Sequence, residues 1–139
     1  MSEAVREHKD RGSKNLNLAV VTISDTRTIE TDTSGALILR LAEEAGHRIV
    51  DRIILPDEPD RMRPLLLSYA DRTDLHAVLM TGGTGISPRD QTYETVSSLL
   101  TKPLPGYGEL FRMISYAEIG PACLLSRAVG GPVSYTHLT

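Results

Sequence analysis

The first strongly apolar run, Leu18-Ala19-Val20-Val21-Thr22-Ile23, is continuous rather than alternating, which is the pattern of a strand covered on both faces. It stops at Ser24-Asp25-Thr26-Arg27, a polar loop at the strand's carboxyl end. Helical spacing follows: Leu37, Ile38, Leu41, Ala42 and Ala45 share one face of a helix over about 33–45, with Gly46 as its stop. Residues 47–55 have the mixed polarity of a second strand, and Pro56-Asp57-Glu58-Pro59 ends it. Met62, Leu65, Leu66 and Tyr69 then recur at helical spacing, and Pro64 lies early enough in that helix to be tolerated. Ala77-Val78-Leu79-Met80 predicts a third strand, which runs directly into Thr81-Gly82-Gly83-Thr84-Gly85 before a helix over about 92–100. Beyond it, residues 102–108 form a connection rich in proline and glycine. Residues 109–119 predict a short helix with Leu110, Met113 and Ile114 inward, and 124–129 a further strand or a turn.

Alternation of strand and helix predicts an α/β fold of three layers: an open, mostly parallel sheet with helices on both faces. In such sheets ligands bind beyond the carboxyl ends of the strands. Asp25, Asp57 and the loop from Gly82 to Asp90 each follow a strand, so three separate segments converge on one rim. Which of them are adjacent depends on strand order, and strand order is not written in a single sequence.

Composition narrows the class. The chain has 139 residues, 40% of them hydrophobic and 24% charged, which suits one domain over 16–131 with an aliphatic core, since there is no Trp and one Phe. Residues 1–15 carry many charges and little apolar content, and they read as a mobile tail. A net charge of −3 argues against broad electrostatic binding to nucleic acid or to an anionic membrane surface. No apolar stretch is long enough for a signal core or a membrane span, so a cytoplasmic protein is expected. The single Cys123 lies among Ala122, Leu124 and Leu125 and reads as an inert buried thiol. The histidines at 8, 47, 76 and 137 lack the spacing of a zinc site.

The candidate chemistry lies in the glycine loop. Gly82, Gly83 and Gly85 remove side chains that would hold a ligand off the backbone, so successive N–H groups can converge on an anion such as phosphate. Asp90 follows five residues later, where a carboxylate suits the Mg²⁺ that accompanies a nucleotide. The competing reading is a purely structural turn. No lysine lies between Gly82 and Lys102, which excludes a P-loop, and Pro88 breaks a dinucleotide fingerprint that starts at Gly83. Asp25 reads equally as an Asx turn, Arg89 as a surface ion pair, and Arg127 as either an anion ligand or a surface pair, while Asp57 on its local sequence reads first as a helix cap.

The longer string TGGTGISPRDQTYE, with PGYGELFRMISYAEIG and LLSRAVGG downstream, resembles the MogA/MoaB family of molybdenum-cofactor biosynthesis over about 16–131. The phrase between Gly106 and Gly120 resembles the MoaB branch more closely. The resemblance implies a molybdopterin-binding fold, ATP and molybdopterin as substrates, and Mg²⁺-dependent adenylylation of molybdopterin with release of pyrophosphate. It further implies catalytic and metal-binding roles for Asp57 and Asp90. Ser24, Asp25, Thr26, Gly82, Gly83, Thr84, Gly85 and Arg89 would contact substrate. It also implies a homo-oligomer, a trimer or a hexamer, with other proteins of the pathway as partners.

Two departures from the family pattern stand out. Tyr93 occupies a place where the pattern has proline, with Thr92 still expected to cap the helix. Residues 132–139 lack the strand, Leu-Pro-Gly turn and closing helix that relatives carry, and they read as a non-native or disordered tail that opens one side of the pocket. Two other functions compete: a non-catalytic molybdopterin binder of the same pathway, and a phospho-acceptor receiver domain. The receiver would need an acidic pair after the first strand and an acceptor Asp after the third, where this chain has Ser24-Asp25 and glycines.

Overall fold

In the computed structural model, which describes residues 2–11 and 15–133, the chain runs α1 (Glu3–Arg11), β1 (Asn17–Ile23), α2 (Thr33–Glu44), β2 (Arg48–Leu55), α3 (Pro59–Ala70) and β3 (Ala77–Thr81). It continues through α4 (Thr92–Leu99), α5 (Pro105–Ile119) and a 3-10 helix over Gly120–Leu125. The sheet is parallel, in the order β2-β1-β3. The apolar run beginning at Leu18 is therefore the central strand. Its side chains are buried on both faces because a layer of helix covers each.

The two layers divide β1 by residue parity, as a pleated strand requires. Ala19, Val21 and Ile23 join Leu55 of β2 with Met62 and Tyr69 of α3 in the main core, and α4 packs beside α3. On the opposite face, the Thr22 hydroxyl donates to Asp32 (2.7 Å), whose carboxylate caps α2 by accepting from the Gly35 N–H (3.0 Å). Arg52 of β2 reaches the same carboxylate at 3.3 Å. Buried Asp32 thus has three donors, which is what its desolvation demands. Two of the histidines fix the entry into β1: His47 Nδ1 accepts from Leu16 N–H and His76 Nδ1 from Asn17 N–H. His137 lies outside the described residues.

Several expectations are corrected. A helix forms over Glu3–Arg11, where the low apolar content suggested no element; Met1 and residues 12–14 of the expected tail lie outside the described residues. Helix α5 starts at Pro105 rather than Glu109, because proline's fixed φ and missing N–H suit the first helical turn. Its Leu110, Met113 and Ile114 do not point inward; they are 53%, 66% and 60% exposed. No strand is assigned over 124–129, where the 3-10 helix gives way to extended chain. Cys123 is buried, as its neighbours suggested. Of the expected C-terminal tail, Pro132 accepts from Thr101 N–H at 2.8 Å, and residues 134–139 lie outside the described residues.

Candidate active site

Because β1 is central, the loops after β2 and β3 flank the loop after β1. The connection through α2 lies on one face and that through α3 on the other, the arrangement that leaves a crevice at the carboxyl edge of a parallel sheet. The three candidate segments meet there. Asp25 Oδ1 accepts from the Asp57 N–H (3.1 Å), and Asp57 Oδ1 accepts from the Gln91 N–H (3.0 Å). The side chain of each loop is thus fixed by the backbone of the next.

Asp57 does not cap α3: the N-cap is Glu58, without a side-chain capping bond. Asp57 instead turns toward the glycine loop and is buried, which pushes its carboxyl up from the ordinary carboxylate value. The negative charges of Asp90 and Asp25 push in the same direction, against the Gln91 N–H and Arg89. Asp90 is held by its own turn, with Oδ2 accepting from the Ser87 N–H at 3.0 Å. Asp25 has the opposite fate. Arg89 grips it through two bonds of 2.8 Å and, helped by the Asp57 N–H, holds its carboxyl down to about 2. Arg89 also reaches Glu58 at 3.3 Å, so it makes the surface ion pairs that were one of its two readings.

The glycine loop uses its missing side chains in an unexpected way. A Cβ on Gly83, which has φ +69°, would collide with the carboxylate of Asp57 and the hydroxyl of Thr92; one on Gly85 would lie 2.7 Å from Asp90 Oδ2. These glycines make room for the protein's own carboxylates. The loop's carbonyls are occupied as well. Gly83 O accepts from Thr92 N–H (3.1 Å), Thr84 O from Arg127 N–H (2.9 Å) and Gly85 O from Arg127 Nε (2.8 Å). In a trans peptide the N–H points opposite to the preceding C=O, so the amides of Thr84, Gly85 and Ile86 point away from these anchors. The amides whose directions are fixed by these anchors are thus those of Thr84, Gly85 and Ile86, and the sequence pattern did not single out Ile86.

Ser24 and Thr26 stand differently. The Ser24 hydroxyl accepts from the N–H groups of Thr26 and Arg27 (3.2 and 3.0 Å), shaping the loop after β1. Thr92 is the first residue of α4 rather than its cap; its backbone N–H anchors Gly83. Two clefts border this centre. One, of about 270 Å³, is lined by Ile86 to Pro88, Asp90, Gln91, Glu94 and Arg127. The other, of about 490 Å³, lies between the loop after β1 and strand β2 and includes Ser24, Asp25, Arg27 and Arg52. Among the described residues no group of three His, Cys, Asp or Glu side chains is arranged to hold a metal unaided. The Asp57 carboxylate, raised first by burial and further by the negative charges of Asp90 and Asp25, nevertheless suits a divalent cation that draws its remaining ligands from phosphate and water.

A family model described as "Probable molybdopterin binding domain" matches residues 19–136. The chain belongs to this molybdopterin-binding family. Within the family it is 48% identical over 131 residues to molybdenum cofactor biosynthesis protein B of Bacillus cereus, covering 94% of this chain and 78% of that protein. It is 46% identical over 134 residues to the protein of the same name from Bacillus subtilis, covering 96% and 79%. A crystal structure of a molybdenum cofactor biosynthesis protein B superposes with a TM-score of 0.82 at 48% identity, over 88% of this chain and 77% of the other. That of the tungsten cofactor synthesizing protein MoaB from Pyrococcus furiosus gives 0.75 at 34%, over 90% and 78%. The molybdopterin-binding fold and the kinship with the B proteins of the pathway accord with the expectation drawn from the glycine string. No helix among the described residues of this family member is long and apolar enough to cross a membrane.

Proposed function

We propose that the protein binds molybdopterin and adenylylates it with Mg-ATP, releasing pyrophosphate. The observation that carries the reading is the meeting of Asp57 and Asp90, from two different loops, beside peptide N–H groups whose carbonyls are already occupied. In the proposed step, the terminal phosphate of molybdopterin forms a bond to the α-phosphorus of ATP while the bond to the β-phosphate oxygen breaks, and pyrophosphate leaves with the electron pair. A phosphate nucleophile is already anionic near neutral pH, so alignment and charge neutralisation are the main requirements. Mg²⁺ held by Asp57 and Asp90 would neutralise charge gathering at the α-phosphate.

The remaining tasks fall to the chain itself. The amides of Thr84, Gly85 and Ile86 suit phosphate oxygens, and the Thr84 hydroxyl adds a further donor. Arg89 is half-exposed, and its weaker contact to Glu58 can be exchanged for a phosphate oxygen without releasing Asp25. Asp25 keeps Asp57 in place through the Asp57 N–H. Ser24 acts by shaping the loop that presents Asp25 and Thr26. We also propose that the protein assembles as a trimer or as paired trimers, in line with the exposed apolar face of α5.

The test is Mg²⁺-dependent formation of adenylylated molybdopterin and pyrophosphate by the purified chain. The parent is expected to give both products, and Asp90→Asn to lower the rate about 100-fold or more, as loss of a transition-state charge contact does. Binding of molybdopterin with no pyrophosphate from the parent would instead make the protein a non-catalytic carrier. Absence of both would overturn the reading.

A further inference from the structure

Arg127 lies in the extended segment after the 3-10 helix, remote in sequence from every residue of the rim. It nevertheless reaches both the glycine loop and its flank. Its backbone N–H donates to Thr84 O (2.9 Å), Nε to Gly85 O (2.8 Å) and Nη2 to Asp90 O (3.0 Å), while Nη1 pairs with the Glu94 carboxylate. The guanidinium also lies over the Tyr93 ring, 5.2 Å from its centroid.

We infer that Arg127 is the positioning residue that sets the anion-binding shape of the glycine loop and, through the same fork, the placement of Asp90. The deduction rests on peptide geometry. Fixing Thr84 O and Gly85 O from one side fixes the opposite directions of the Gly85 and Ile86 amides. Fixing Asp90 O holds the backbone that carries the Asp90 carboxylate. A planar guanidinium suits Gly85 O, Asp90 O and the Glu94 carboxylate because its N–H groups diverge at set angles; a lysine ammonium, a single point of donors, cannot reach all three at once. Glu94 and Tyr93, on the first turn of α4, hold the fork from its other side. The loop is thereby clamped between α4 and the C-terminal segment. The charge of Arg127 is committed to Glu94.

The catalytic part of this inference rests on the transferase reading above; the structural part does not. The test therefore uses two readouts on the full chain with Arg127→Gln, Arg127→Lys and Glu94→Gln. Hydrogen exchange should quicken about tenfold or more in residues 82–91 of Arg127→Gln, while Asn17–Ile23 keeps the parent's protection, since only the local opening equilibrium changes. In the adenylylation assay kcat should fall about 100-fold, with KM for ATP changed much less, the result of misplacing groups by about an ångström. Arg127→Lys should recover part of that loss. Glu94→Gln, which loosens the fork without removing it, should lie between Arg127→Lys and the parent, and it serves if Arg127→Gln does not fold. Parent-like exchange in 82–91 of the folded Arg127 variants, or in Glu94→Gln if they do not fold, would overturn the inference. A parent without transferase activity would overturn only the transferase reading, since the exchange result still decides whether Arg127 sets the loop.

Discussion

Asp57 and Asp25 sit side by side and respond to pH in opposite senses. Burial first, and then the charges of Asp90 and Asp25, raise the Asp57 carboxyl in the folded protein above its unfolded value. The charged form is therefore disfavoured by folding, and the penalty is fully present above the folded value and absent below the unfolded one. Asp25, lowered to about 2 by Arg89, contributes stability above the unfolded value that is lost as pH falls toward 2. Asp57→Asn keeps an acceptor for Gln91 and removes the charge. It is expected to raise the thermal midpoint at pH 7, with the gain fading as pH falls to about 4 and below, where both states of the parent protonate. Calorimetry at pH 7, 5 and 3.5 checks this; a gain that stays constant with pH would trace the effect to packing rather than charge. The sequence left two roles open for Asp57, a site carboxylate on the rim and a cap of the following helix. The choice between them depends on Gln91, which lies 34 residues further along the chain.

At the scale of elements, local pattern was enough to place β1, β2, β3, α2 and α4 to within a residue or two and to locate α3, because each buries a stripe whose period its own residues carry. It failed where one short stretch serves two neighbours. The turn after β3 shows why: Gly83 meets the Asp57 carboxylate and the α4 residue Thr92 at once, in a backbone conformation that side chains strain. Gly83→Ala is accordingly expected to destabilise the fold by about 2–3 kcal/mol and to displace Asp57. Chemical denaturation measures the first effect, and ligand titration the second. Full stability in the variant would mean that the loop relaxes freely and that the glycine serves only backbone access. The helix over Pro105–Ile119 was underestimated for a related reason. Proline and glycine read as breakers, yet a proline at the first turn begins a helix, and Gly108 is buried within it.

On the scale of the whole molecule, α5 presents Leu110, Met113 and Ile114 to the surface at 53–66% exposure, together with Tyr116 and Ile119. An apolar face of that extent suits burial against another copy of the chain. Ile114→Glu is expected to shift sedimentation from the proposed trimer to monomer while far-ultraviolet circular dichroism stays unchanged. An unaltered sedimentation coefficient would remove α5 from the interface. Helical spacing in the sequence had placed Leu110, Met113 and Ile114 in the protein's own core, since periodicity reports that a face is apolar and not what covers it. Residue type and short-range spacing were enough for the strands and most helices, the aliphatic core, the glycine loop and the acidic candidates. Tertiary structure was needed to show that β1 is central, that the Asp25 carboxylate is held by the Asp57 backbone and the Asp57 carboxylate by that of Gln91, and that Arg127 clamps the loop. Those outcomes depend on strand order and on contacts between residues tens of positions apart, which no local pattern encodes.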